Sequence, residues 1–300
     1  MEDYILRATI NNGSVRALIA TTKNLVNTAY NIHNTSPVAT AALGRLLTAS
    51  AMMGAMLKND NDLLTLSIKG DGPLDKIVTT ANNKSIVKGY VINPKADTEN
   101  IAPGKLNVGA AVGDGTLTVV KDMGLKEPQA GQINLVSGEI AEDLTYYFAK
   151  SEQTPSSVAL GVLINTDYSV QQAGGFIIQI MPEAGDQIIT HLEQKLASLP
   201  TMTSMLNDGK TPEDILNNLF DGYDIIIHEK LTTAYGCNCS KEKSGKVLIS
   251  LGETELTSIL KEDRQANIHC HFCNKDYTFL EPELKALLNK LKHRGNNAKL

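Results

Sequence analysis

The longest apolar stretch of the chain covers residues 38–57, with Arg45 near its middle and Thr40, Thr48 and Ser50 along it. Moving that arginine into lipid would cost several kcal/mol, so the stretch predicts a buried helix rather than a membrane span. Ser36 followed by Pro37 supplies an N-cap and a first-turn residue, and Met52, Met53 and Met56 fill the far end. From Leu63 to about Pro182 the texture changes to short β-prone runs broken by glycine, at residues 64–69, 86–92, 117–120, 133–136 and 176–181. These predict strands of a mixed sheet. Between them, SGEIAEDLTYYFAK from Ser137 places Ile140, Leu144, Tyr147 and Phe148 at helical spacing with acidic residues opposite.

Beyond Pro182 the periodicity is helical but broken. Ile188, Ile189, Leu192, Leu196 and Leu199 form one stripe ended by Pro200, and Thr211-Pro212-Glu213-Asp214 opens a second piece carrying Ile215, Leu216, Leu219 and Phe220. Met202, Met205 and Leu206 lie in the link between them. Such amphipathic pieces have little bulk of their own, so a neighbouring domain or a partner must cover their apolar faces. The segment is a candidate switch, although the same periodicity suits a linker docked permanently on the large domain. The terminal stretch predicts a strand at residues 247–251, a helix near 253–261, and a helix opened by Glu281-Pro282-Glu283 with Leu284, Leu287, Leu288 and Leu291 on one face. The expected organisation is α+β: a large mixed-sheet domain with helices over residues 1–182, a metastable helical linker over 183–232, and a small C-terminal domain over 233–300.

Composition narrows the function. At 42% hydrophobic and 20% charged residues, 300 residues suffice for one large core and a smaller unit. A net charge of -5 argues against nucleic acid as a partner, since phosphate binding needs a basic face. The acidic start Met1-Glu2-Asp3-Tyr4 has no secretory pattern, which points to the cytoplasm. Gly70-Asp71-Gly72 and Gly113-Asp114-Gly115 lack the spacing and the Lys-Ser/Thr pair of phosphate loops and read as turns. Glu139, Glu142 and Asp143 invite an acid-base role, but acids in a first helical turn usually serve the macrodipole and solvent. No nucleophile elbow appears, and no enzyme is expected.

All four cysteines lie in the last quarter, as Cys237-Asn-Cys239 and Cys270-His-Phe-Cys273, separated by thirty residues. Two close pairs suit a tetrahedral thiolate cage better than scattered core packing does, and a reducing compartment disfavours permanent disulfides. His269 and His271 flank Cys270, but four thiolates already complete a zinc tetrahedron; His33, His191, His228 and His293 have no suggestive neighbours. Fewer than seventy residues bury little surface, so such a unit needs a staple, and structural zinc supplies about 10 to 16 kcal/mol in finger peptides. Cysteines two apart can pair only in a strained, readily reduced ring. An oxidant attacking the bound thiolates would therefore remove the staple and act as an unfolding signal.

These residues resemble the redox-regulated holdase chaperones of the heat shock protein 33 family, over almost the whole chain. The Cys-x-Cys and Cys-x-x-Cys pairs stand here as CNCSKEK from Cys237 and CHFCNKDYTF from Cys270, beside KGDGPLDKI from Lys69, VKGYVINP from Val87, SGEIAEDLTYYFAKSEQTPSSVALGV from Ser137 and AGGFIIQIMPEA from Ala173. The resemblance implies one Zn2+ per chain in the reduced, inactive state, held by Cys237, Cys239, Cys270 and Cys273. It also implies redox disulfides Cys237 to Cys239 and Cys270 to Cys273, melting of the linker, a homodimer when active, and unfolding client proteins held without ATP. Whether clients touch the linker, the sheet face or both stays open. One alternative is a zinc ribbon that binds another macromolecule constitutively, served by the basic residues between Lys285 and Arg294, though a solvated helix face suits those better. A thiol oxidoreductase would need a βαβ unit around Cys270 and Cys273, which the pattern lacks.

Overall fold

The computed structural model describes residues 2–102 and 104–297, with side chains as far as Leu291; the side chains of His293 and Arg294 lie outside the described residues. In chain order the elements are β1 (Tyr4–Ile10), β2 (Val15–Thr21), α1 (Lys23–His33), α2 (Pro37–Gly54), β3 (Leu63–Gly70), β4 (Lys76–Asn82), β5 (Ile86–Val91), α3 (Val108–Val112), β6 (Gly115–Asp122), β7 (Gln129–Asn134), α4 (Ala141–Lys150), β8 (Ser156–Ile164) and β9 (Val170–Ile180). Then follow α5 (Asp186–Ser198), α6 (Met202–Asn207), α7 (Pro212–Leu219), β10 (Ile225–Thr232), β11 (Ala234–Tyr235), α8 (Lys241–Ser250), α9 (Glu253–Glu262), β12 (Gln265–Cys270), β13 (Lys275–Leu280) and α10 (Glu281–Asn297). The chain is α+β and divides into two compact units, Met1–Gly236 and Cys237–Leu300.

The first unit contains two sheets rather than one. One has strand order β10-β1-β2-β9-β8 and the other β11-β5-β4-β3-β6-β7. All pairings are antiparallel except the two-residue β11–β5 pairing. Helix α2 packs on strands of both sheets and is buried nearly all round, which is why its sequence is apolar on every face. Ser36 caps it, accepting the Ala39 amide at 3.2 Å. No helix among the described residues is long and apolar enough to cross a membrane.

A second core lies on the opposite face of the five-stranded sheet. Alternation in β1, β2 and β9 sends Leu6, Ala8, Ile10, Ala17, Ile19, Phe176 and Ile178 to that face, where α5, α6 and α7 cover them. Thr211 and Asp214 cap α7 reciprocally: Asp214 accepts the Thr211 amide at 2.9 Å, and the Thr211 hydroxyl accepts the Asp214 amide at 3.2 Å. Glu213 ties the same helix down, accepting the Tyr4 hydroxyl from β1 at 2.5 Å and pairing with Lys230 of β10. The last part of the span read as helical linker is thus strand, with β10 paired along β1 from Tyr4↔Thr232 to Ile10↔Ile225.

The sequence reading needs three further corrections. Residues 247–251 are not a strand: 247–250 are the last turn of α8 and Leu251 is its C-cap, the helix being capped at its start by Ser240, whose hydroxyl accepts the Lys243 amide at 3.2 Å. Leu248 is buried while Val247 and Leu251 stay exposed, the signature of one helical face and not of a two-sided run. Strand β7 ends at Asn134, so Leu135 and Val136 fall outside it. Helix α4 starts at Ala141 because Gly138 and Ile140, both at positive φ, turn the preceding loop back on itself.

Candidate metal centre

The second unit positions its cysteines from two directions. Strands β12 and β13 form a hairpin in register from Gln265↔Leu280 to Cys270↔Lys275. Its turn is closed by the amides of Cys273 and Asn274, which donate to the Cys270 carbonyl at 3.2 and 2.8 Å. Asn274 takes the left-handed conformation this tight return requires. Cys270 and Cys273 therefore flank one turn. Cys237 and Cys239 lie in the extended segment before α8, where Lys243 donates from its Nζ to the Asn238 carbonyl at 2.7 Å. Behind the site is a small core of Leu248, Leu256, Phe279, Leu284 and Leu288.

The four Sγ atoms all lie within 4.8 Å of one another. Cys237 and Cys270 sulfurs are 3.7 Å apart and those of Cys239 and Cys273 are 3.2 Å apart. Zn–S bonds of about 2.3 Å give a tetrahedron with edges of about 3.8 Å, so the cluster has the right size for one ion. The electrostatics point the same way. Burial alone would raise the Cys239 thiol, but hydrogen bonds from the Tyr277 hydroxyl and the other cysteines outweigh it and bring it to about 6. Burial and the Cys239 contact push Cys273 up to about 12, and burial raises Cys237. Thiolates held this close repel one another, and a divalent cation among them would favour the ionised sulfurs.

Tyr277 was not singled out from sequence. Its hydroxyl stands 3.1 Å from Cys239 Sγ, and that contact pushes the phenol up to about 12. A tyrosine four residues past a Cys-x-x-Cys pair carries no signal by itself; only the hairpin register brings it across to the other pair. His269 bonds Asp276 through Nδ1 at 2.8 Å and packs edge-on against His271. Among the described residues, the ligand cluster consists of the four sulfurs alone.

The other sequence candidates serve the fold. Asp143 is buried, and its carboxylate accepts the amides of Val136, Ser137, Gly138 and Ile140. Glu139 pairs with Arg45 and accepts the Gly109 amide. His33 bonds the Tyr235 hydroxyl, His191 the Leu219 carbonyl and His228 the Thr9 hydroxyl. The two Gly-Asp-Gly stretches are turns packed on each other, with Asp71 accepting the Asp114 amide at 2.8 Å.

A family model described as Hsp33 protein matches residues 3–280. The 33 kDa chaperonin of Clostridioides difficile (strain 630) is 52% identical over 292 residues, covering 97% of this chain and 100% of that protein. The 33 kDa chaperonin of Acetivibrio thermocellus is 49% identical over 288 residues, covering 96% and 97%. Among solved structures, the 33 kDa chaperonin (heat shock protein 33 homolog) from Thermotoga maritima matches with a TM-score of 0.89 at 36% identity, over 97% of this chain and 99% of that one. With the four-sulfur cluster and the two-sheet fold, this match places the chain in the Hsp33 protein family.

Proposed function

We propose that the chain is a redox-regulated, ATP-independent chaperone of the holdase type, not an enzyme. In this reading it rests reduced and inactive in the cytoplasm and, once oxidised, binds unfolding proteins as a homodimer. Residues 1–182 with β10 and β11 form the body, the helices between β9 and β10 the conditional cover, and the unit from Cys237 the sensor. Cys237, Cys239, Cys270 and Cys273 are the zinc ligands. The bound ion would offset half the charge of four thiolates and hold the β12–β13 hairpin to the segment before α8. Oxidised in pairs, Cys237 with Cys239 and Cys270 with Cys273, the sulfurs lose the charge that holds a cation, and the small unit loses its staple.

The observation that carries this reading is the second core. The apolar face of the five-stranded sheet is sealed by three short helices, the longest spanning Asp186–Ser198, which have no stability without it. A cover made of marginal pieces comes away at small cost and leaves a contiguous apolar surface of the kind that captures unfolding chains. Tyr235 anchors the chain just before the first cysteine pair, donating to the Gly89 carbonyl at 2.8 Å, so the sensor follows directly from the body.

The test is light scattering from a thermally unfolding client enzyme. Zinc-loaded, reduced protein should leave aggregation unchanged, and protein treated with hydrogen peroxide during mild heating should suppress it. Equal suppression in both states would defeat the proposed switch.

A further inference from the structure

Near the end of α2 the five-stranded sheet carries charge on the face that the helix otherwise keeps apolar. Ile5 and Leu18 of that face lie in the core around α2, and alternation brings Arg7, Thr9 and Arg16 to the same side of β1 and β2. Register sets Thr9 opposite Arg16, and Arg16 opposite Gln179 of β9. On the other flank β10 shifts register between the partners of Arg7 and Ala8, which leaves His228 as an extra residue in the ladder. Such a bulge re-aims a side chain, and the His228 ring meets the Thr9 hydroxyl at 2.8 Å. With Lys58 from the segment after α2, and Glu229, these residues line a cavity of about 590 Å³.

The cavity holds more positive charge than the protein answers. Arg7 pairs with Glu229 at 2.6 Å and donates to the Ala55 carbonyl at 3.4 Å. Arg16 has no carboxylate partner among the described residues: its Nε donates to the neutral Gln179 Oε1 at 3.0 Å, and a second guanidinium nitrogen reaches the same oxygen. Burial works against its charged form and so does Arg7, while Glu152, itself paired with Lys121, offsets this only in part. Against the one carboxylate of Glu229 stand Arg7, Arg16 and Lys58, an excess of two positive charges. Desolvated cations are ordinarily paired, and a dianion would complete this set. We propose that the cavity binds a small phosphate monoester, with its phosphoryl group between Arg7 and Arg16 and with Lys58 and His228 at the rim. A guanidinium presents parallel N–H donors that match phosphoryl oxygens, which selects phosphate over a simple carboxylate. The cavity is larger than a phosphoryl group alone and leaves room for an organic part. The net charge of -5 disfavours a long polyanion, so the ligand is small. Because the site joins β1, β2 and β10, its ligand binds only the folded sheet and stabilises it by mass action.

The proposal is independent of the zinc switch. Its test is titration calorimetry of the full, reduced chain with glycerol 3-phosphate, against sodium chloride at equal ionic strength and against glycerate. Glycerol 3-phosphate should bind saturably at one site per chain, chloride should give no saturable heat, and glycerate should bind at least tenfold more weakly. Arg16→Gln should weaken the phosphate monoester at least tenfold, as expected for losing a charge-assisted bidentate contact. Lys58 is exposed, so Lys58→Gln leaves the fold intact and should weaken binding about threefold. In the parent protein the Arg16 Nε resonance should shift on titration while that of Arg45, paired with Glu139, stays in place. Should Arg16→Gln fail to fold, the Lys58 variant and the Arg16 resonance decide. A parent that shows no saturable binding, or an Arg16 resonance that chloride moves as far as the phosphate monoester does, overturns the proposal. So do equal affinities for glycerol 3-phosphate and glycerate, or variants that bind as the parent does.

Discussion

Asp3 leads into β1 and turns both carboxylate oxygens to the first turn of α1, accepting the Leu25 amide at 2.7 Å and the Asn24 side chain at 3.3 Å. Burial outweighs these bonds and pushes the carboxyl up from 3.8 to about 6. The folded state thus holds the proton more tightly than the unfolded chain does. That contribution is fully present below about pH 4 and is lost as pH rises through about 6, to the extent of about 3 kcal/mol at most. Asp3→Asn should flatten this slope, seen as a urea midpoint that varies less between pH 4 and 6 by circular dichroism. At this scale legibility depends on how local the chemistry is. The cysteines announce themselves by spacing and cluster as expected. Asp143 is visible in sequence only as an acid in a helical first turn; its four amide donors come from a loop that folds back through Gly138 and Ile140, which spacing does not encode. Tyr277 is hidden for the same reason, since its partner lies across a hairpin.

Helix α6 approaches the five-stranded sheet closely enough to need glycine beneath it. A Cβ at Gly161 of β8 would stand 2.7 Å from Thr203 Cγ2, and one at Gly174 of β9 would stand 2.7 Å from Leu206 Cδ1. Gly161→Val should therefore lift α6 without touching the cysteines. Amide exchange across residues 202–207 should speed up by at least tenfold, and under the proposed function the reduced, zinc-loaded variant should already suppress client aggregation in part. Unchanged exchange would show that the sheet accommodates the side chain. Elements with end signals are the legible ones: Ser36-Pro37 and Thr211-Pro212 both cap helices where the sequence places them. The run of Ile225, Ile226 and Ile227 is β-branched and opens β10, yet helical periodicity upstream masks it. Residues 247–251 mislead in the opposite sense, because a short apolar run has no period of its own and the Ser240 cap decides it.

The two units differ in what holds them. The first has two extensive cores, one between the sheets around α2 and one beneath α5 to α7. Among the described residues the second has five buried apolar side chains, too few to offset the ordering entropy of its chain. Removing metal with a chelator under reducing conditions at neutral pH should abolish the dispersed backbone resonances of residues 237–291 while those of the first unit persist; retained dispersion would show that its core suffices. Chain order adds a consequence for reversal. Residues 181–224, with all three covering helices, run between β9 and β10, and both strands belong to the same five-stranded sheet. If those helices detach, they remain a loop pinned at both ends, unable to diffuse away or drag the sheet apart. The closure entropy of a pinned loop grows only slowly with its length, so the detached segment keeps a high local concentration over the surface it left. Under the proposed function, recapping would then compete with a bound client from the same molecule, and reduction alone would favour discharge without an external source of energy.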